Sequence, residues 1–230
     1  MQRLTFSLIS VALTATIAAA AAPPPAAVPP PPNVSSGPPP VRYDWQGNHR
    51  KAVASLNARD YKTAIQLFTE ILESKRLPKS WLASTLYLRG KAYRSSRQHQ
   101  PAITDYEAAV QSDPKMDVAF FELGATFHTI GQYGKAVGAF GQAIALKGNM
   151  WNYYYGRCSA YAFMNKYNDA IRDCEVAAKL KPGSSDILAF LGRLYEETGQ
   201  KQRAIQTYKL ALSINPNQSD AREGLSQLTK

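Results

Sequence analysis

Ala102, Ala136, Ala170 and Ala204 stand 34 residues apart, and Ala64 precedes them by 38. Four residues later in each unit come Phe68, Tyr106, Phe140, Cys174 and Tyr208, and three further on Ile71, Ala109, Ala143, Ala177 and Ala211. An upstream set keeps the same step: Gly90, Gly124, Cys158 and Gly192, with Ala52 in the first unit, each of the four followed by Tyr93, Phe127, Tyr161 or Tyr195. Pro114, Pro182 and Pro216 close their units, and Gly148 stands where a proline would be expected. Self-similarity at such a step marks a stacked-repeat architecture. Within a unit, Phe120, Leu123, Gly124 and Phe127 recur at i, i+3, i+4 and i+7, one face of an α-helix. Gly131-Gln132 breaks that pattern, and Ala136, Phe140, Ala143 and Ile144 begin a second apolar face. Each unit is therefore an antiparallel helix pair that cannot bury its own apolar face, so stacking on its neighbours supplies the core.

The columns read as four clear units: "LRGKAYRSSRQHQPAITDYEAAVQSDP", "FELGATFHTIGQYGKAVGAFGQAIALKG", "GRCSAYAFMNKYNDAIRDCEVAAKLKP" and "AFLGRLYEETGQKQRAIQTYKLALSINP". A fifth, "HRKAVASLNARDYKTAIQLFTEILES", has Ser55 where the others place an aromatic. This pattern resembles the tetratricopeptide repeat family. The resemblance implies an all-α fold, a right-handed superhelix (α-solenoid) of about five antiparallel helix pairs. Its units fall near 45–78, 83–116, 117–150, 151–184 and 185–218, with a polar capping helix over 219–230. The four extra residues between the first two units fall around Lys75 to Ser80 and are expected to form a basic loop.

The run "NYYYGRC" at 152–158 is parsed by the same register. Tyr154 shares a column with Leu86, Phe120 and Leu188 and is expected in the core. Tyr153 shares one with Thr85, Ala119 and Ile187 and is expected against the previous unit. Tyr155 aligns with Tyr87, Phe121 and Ala189, a column that the family resemblance places on the inner, concave face where ligands are held. Beside it run Lys91, Ala125, Ser159 and Arg193, and then Arg94, His128, Ala162 and Glu196. Tyr87, Phe121 and Tyr155 are expected to form an aromatic ladder along a groove. Lys91 and Arg94 would orient an acidic partner there, with His128, Ser159 and Arg193 as further contacts. The competing reading is that the rings only pack against neighbouring units. The lysine and asparagine clamp of the chaperone-adaptor branch is absent from these columns.

The N-terminus reads differently. Arg3 precedes an uncharged apolar stretch from Leu4 to Ala22 that ends in a run of alanines, the pattern of a secretory signal peptide over 1–22. An uncleaved membrane anchor is the alternative; with the signal removed, no stable membrane insertion is expected. Pro23 to Pro40 holds 10 prolines in 18 residues. A Pro-rich linker over 23–44 is expected, able to span roughly 55 Å if fully extended. Export would place the protein in the periplasm or cell envelope, where Cys158 and Cys174 could form a disulfide. Each cysteine lies eight residues from Lys166, at the turn between two helices, and the alternative is a pair of buried thiols.

The formal charge is +10, but its distribution says more. From Val41 to Arg97 there are 12 Lys and Arg against 4 Asp and Glu, and from Gln98 to Lys230 there are 14 against 13. The basic end is where an anionic partner should meet the domain. Export argues against nucleic acid as that partner. His49, His99 and His128 lie in different units without metal-ligand spacing, and the glycines of "GQYGKAVGAFG" form no phosphate loop. No cofactor and no catalysis are expected. The sequence points to an exported scaffold that binds a protein or peptide in a bacterial cell envelope. A cell-wall glycan held on the same rings is the alternative, and self-association is a third reading.

Overall fold

The computed structural model describes residues 44–229; the signal segment and nearly all of the Pro-rich stretch lie outside them. Eleven helices and no strand make up the described residues. Five pairs follow one another: α1 (Trp45–Asn57) with α2 (Tyr61–Glu73), α3 (Lys79–Ser95) with α4 (His99–Ser112), α5 (Asp117–Thr129) with α6 (Tyr133–Leu146), α7 (Trp151–Phe163) with α8 (Tyr167–Leu180), and α9 (Ser185–Glu197) with α10 (Lys201–Ile214). A last helix, α11 (Ser219–Leu228), closes the stack. It buries Ala221 and Gly224 and leaves Asp220, Arg222, Glu223 and Gln227 exposed, as a cap must. First helices of successive pairs touch one another, α3 with α5, α5 with α7 and α9 with α11, so they form the inner side of the curve.

The turn inside each pair has one geometry. Arg59, Arg97, Gly131, Asn165 and Gly199 occupy equivalent places, and all five have positive φ, between 57° and 76°. The next backbone N–H reaches back to the end of the first helix: Gln98 to the Tyr93 carbonyl, Gln132 to Phe127, Lys166 to Tyr161 and Gln200 to Tyr195, at 2.8–2.9 Å. This is the six-to-one closure that ends a helix through a left-handed residue. Glycine suits the place in two units, and asparagine or arginine bears it in the other three.

The pair itself is held by a ring laid on a glycine. A Cβ added to Gly90 would stand 2.8 Å from the Tyr106 ring, one on Gly124 2.8 Å from Phe140, and one on Gly192 2.5 Å from Tyr208. Two of these rings also meet a glycine of the next unit, Phe140 against Gly156 and Tyr208 against Gly224. The fourth unit differs. Its equivalent residues are Cys158 and Cys174, which are bonded with Cα atoms 5.6 Å apart, so the helices approach closely enough for a disulfide where others approach over a ring. Phe190 stands where the other units and the cap carry Leu88, Glu122, Gly156 and Gly224, and it packs against the cluster that contains both cysteines.

Two expectations are corrected. The four extra residues before the second unit are not a basic loop: Lys79 to Leu82 form an added turn at the start of α3, which has 17 residues where the other first helices have 13. Pro78 starts that turn, and Trp81 anchors it edge-on against Trp45 and His49 of α1, with centroids 5.4 and 5.2 Å apart. Only Ser74 to Pro78 remain as the connection. Tyr154 is not a core residue. It is half-buried, with its hydroxyl donating to the Gly148 carbonyl at 3.3 Å, because its column lies beside the connection between units, which covers it only partly. Tyr153 is the buried ring, stacked on Phe121 of the previous unit at 5.0 Å and donating to Asp117 Oδ2 at 2.6 Å.

The glycines divide into two kinds with opposite expected responses. Gly192→Ala drives a methyl into the buried Tyr208 ring and should destabilise by about 1–3 kcal/mol. Gly138→Ala, exposed in α6 with open space around it, should stabilise by about 0.5–1 kcal/mol. Urea denaturation midpoints that move the same way for both would contradict this packing.

Candidate functional site

On the inner face, between α5 and α7, lies a pocket of about 410 Å³. Phe121, Ala125 and His128 come from α5, and Trp151, Asn152, Tyr155, Gly156 and Ser159 from α7, with Arg94 of α3 at one side. The two helices can flank an open pocket because Gly156 has no side chain to fill it, and because Phe140 reaches the pocket floor from α6. Its walls are mostly apolar and aromatic, with a few converging polar groups, the usual composition of a binding cleft.

Of the residues expected at the groove, the structure brings Arg94, Phe121, His128, Tyr155 and Ser159 into this pocket. Tyr87 does not line it. That ring lies tilted against Tyr106 at 6.1 Å, packs on the core of the second and third units, and has its hydroxyl pushed up to about 12, chiefly by burial. Lys91 is held over the Tyr87 ring, with Nζ 5.8 Å from its centroid, and also stays outside the pocket lining. Arg193 belongs to neighbouring cavities further along the array. The aromatic column ends early, since Ala189 is buried; its neighbour Phe190 supplies the ring in the last unit, 5.8 Å from Tyr155.

Trp151 and Asn152 are pocket residues that the sequence pattern did not single out. Their positions carry Asp117 and Val118 one unit earlier and Ser185 and Asp186 one unit later; the one repeat, Trp45 at the place of Trp151 in the first unit, is too distant in the array to mark a column. Trp151 lies 6.5 Å from Tyr155, and Lys181 Nζ sits over its indole at 3.9 Å, a geometry for cation–π attraction. Asn152 Oδ1 is a buried acceptor without a hydrogen-bond partner among the described residues.

Arg94 is paired with Glu122 at 2.8 Å, so the guanidinium at the pocket edge carries its own counter-ion. His128 Nε2 and Ser159 Oγ share a hydrogen bond of 3.0 Å across the cleft between α5 and α7. The His128 ring meets Tyr133 and Phe163 edge-on, both at 5.3 Å, and those two rings stack on each other at 4.9 Å. Burial lowers the His128 pKa from its ordinary value and favours the neutral ring. Among the described residues no group of three His, Cys, Asp or Glu is placed to hold a metal ion, and no helix is long and apolar enough to cross a membrane.

Family models for a tetratricopeptide repeat match residues 164–228 and residues 83–116. The small glutamine-rich tetratricopeptide repeat-containing protein 2 of Mycosarcoma maydis is 29% identical over 94 residues, 41% of this chain and 27% of that protein. The chain spans only 18 to 27% of the length of the first curated relatives it matches. Among solved structures, MamA shares 24% identity with a TM-score of 0.68, over 73% of this chain and 96% of that one. YrrB, described as a TPR protein with an unusual peptide-binding site, shares 18% with a TM-score of 0.70, over 80% and 92%. At these identities the likeness establishes the fold.

The histidine bridging the cleft has a consequence for acid stability. A histidine with a lowered pKa binds fewer protons folded than unfolded. The stability it contributes is therefore complete at neutral pH and falls as pH drops through the unfolded value near 6.5, until the lower folded value is passed. The wild type should lose more stability between about pH 7 and pH 5 than His128→Gln. Equal slopes in denaturation measured across that range would show that His128 is not held neutral.

Proposed function

The chain is a tetratricopeptide repeat protein, and we propose that it is a protein-interaction scaffold that takes a peptide segment into the cleft between α5 and α7. The pocket of about 410 Å³, faced by Phe121, Trp151 and Tyr155, is the observation that carries this reading. Rings of this kind offer large contact area with little rotamer freedom to lose, which is why they dominate interface energetics. One apolar side chain of the partner fills the pocket. The side chains of Asn152, Ser159 and His128 add polar groups to its lining, with Asn152 Oδ1 still without a hydrogen-bond partner among the described residues. The scaffold reading is supported by relatives whose names concern assembly, such as the Hsp70-Hsp90 organizing protein of Triticum aestivum, and by the peptide site described for YrrB.

We further propose that the protein is exported to the bacterial cell envelope. The leader pattern over 1–22 carries this part, and the Cys158–Cys174 bond supports it, because such bonds persist in oxidising compartments. Fractionation should recover the protein outside the cytoplasm, with a mature N-terminus between Ala18 and Pro23 by mass spectrometry. A full-length chain found only in the cytoplasm would end the export reading.

Selection from a random peptide display library tests the cleft. Trp151 is the cleanest probe, because Phe121 also supports buried Tyr153 and Tyr155 packs on the core of the last units. Peptides enriched on the wild type should lose about 2 kcal/mol of affinity, roughly thirtyfold, on Trp151→Ala with helicity retained. Peptides indifferent to that change, or none enriched, would refute the cleft. A wall glycan stacked on the same rings is the competing ligand; co-sedimentation with purified wall material, together with an empty peptide selection, would favour it.

A further inference from the structure

Three cavities follow one another along the inner face, and they differ in charge. The apolar pocket ends where Tyr155 meets Phe190 and where His128 meets Phe163. The same two phenylalanines line a second cavity of about 310 Å³, together with Arg193 and Glu197. Phe163 is 58% exposed there, with one side of its ring stacked on Tyr133. A third cavity, about 280 Å³, shares Arg193 and Glu197 with the second and runs on to α11, where Asp220 and Glu223 line it beside Glu196.

At the α3 end the Arg94 charge is answered by Glu122. Towards α11 four carboxylates, Glu196, Glu197, Asp220 and Glu223, line the groove against the single guanidinium of Arg193. None of the four makes an ion pair among the described residues, and Glu196 accepts only from the Tyr208 hydroxyl, at 2.9 Å. Arg193 lies over the Phe190 ring at 5.2 Å. The overall charge of +10 points to an anionic partner, but exposed charges are screened beyond about 8 Å at physiological ionic strength. The cations of the first two units therefore do not set the potential beside α11. The local carboxylates do, and the low-dielectric protein around them concentrates their field.

Resting on the groove reading above, we infer that the partner is a segment with a large apolar side chain for the pocket between α5 and α7 and basic residues directed towards α11. The apolar anchor gives the affinity. The carboxylates fix which way the segment lies and reject acidic segments that the pocket alone would accept.

The Trp151-dependent peptides from the display library are the probes. They should carry a surplus of Lys and Arg over the starting pool. Their affinity should fall about tenfold on the double change Glu197→Lys and Glu223→Lys, two exposed side chains, with circular dichroism unchanged. The same peptides with Lys and Arg exchanged for Glu should bind that variant better than the wild type, which a misfolded variant could not do. Trp151-dependent peptides without a basic surplus, or with affinities untouched by the double change, overturn this inference and leave the groove reading standing. An empty selection overturns both.

Discussion

The closeness of the two helices in three of the five units depends on one contact, an aromatic ring packed against a glycine. Tyr106 on Gly90, Phe140 on Gly124 and Tyr208 on Gly192 bring the backbones together, so closely that a Cβ on these glycines would stand 2.5–2.8 Å from the ring. Glycine inside a helix is unfavourable by about 1 kcal/mol relative to alanine, whereas burying a large ring yields about 1.5–3 kcal/mol, so the exchange favours the pair. Phe140 and Tyr208 extend the contact to the next unit through Gly156 and Gly224. The same rings thus set the spacing within units and between them. The groove inherits its width from that spacing.

The fourth unit shows what happens when the contact is replaced. Two cysteines hold α7 and α8 together, no ring projects towards the last unit, and Phe190 enters the space left over. From there it faces the inner side and divides the apolar pocket from the carboxylate-lined end. A change deep in the stack, from ring to sulfur, has altered the surface that a ligand would meet. The site is therefore a product of the core rather than an addition to it.

The repeating columns made the helix pairs, the five units, the cap and the inner-face positions of Phe121, His128, Tyr155 and Ser159 legible in the amino-acid sequence. The departures were not, because each occurs where the repeat is broken. The extra turn of α3 forms because Trp81 finds Trp45 and His49, a contact between distant segments that no local pattern announces. Phe190 lies one place off the aromatic column, and Trp151 shares its place with Trp45 alone, in a column that otherwise holds Ala83, Asp117 and Ser185. The left-handed turns at Arg59 and Arg97 are hidden as well: only Gly131, Asn165 and Gly199 carry residue types that signal them. The carboxylates beside α11 read as ordinary solvated charges until α9 and α11 bring them into one cleft.

Arg89 and Arg157 each grip an aspartate on the second helix of their own unit, Asp105 and Asp173, through two nitrogens at 2.7–2.8 Å. The third and fifth units have Leu123 with Ala139 and Leu191 with Thr207 at those places. Near-identical modules in tandem invite exchange of one second helix for another. Here a swap between neighbouring units would strand a mostly buried aspartate without its guanidinium, a penalty of roughly 3–5 kcal/mol for a fully enclosed pair and less at these partly open edges. Placing the ion pair in every other unit thus disfavours exchange of second helices between neighbouring units.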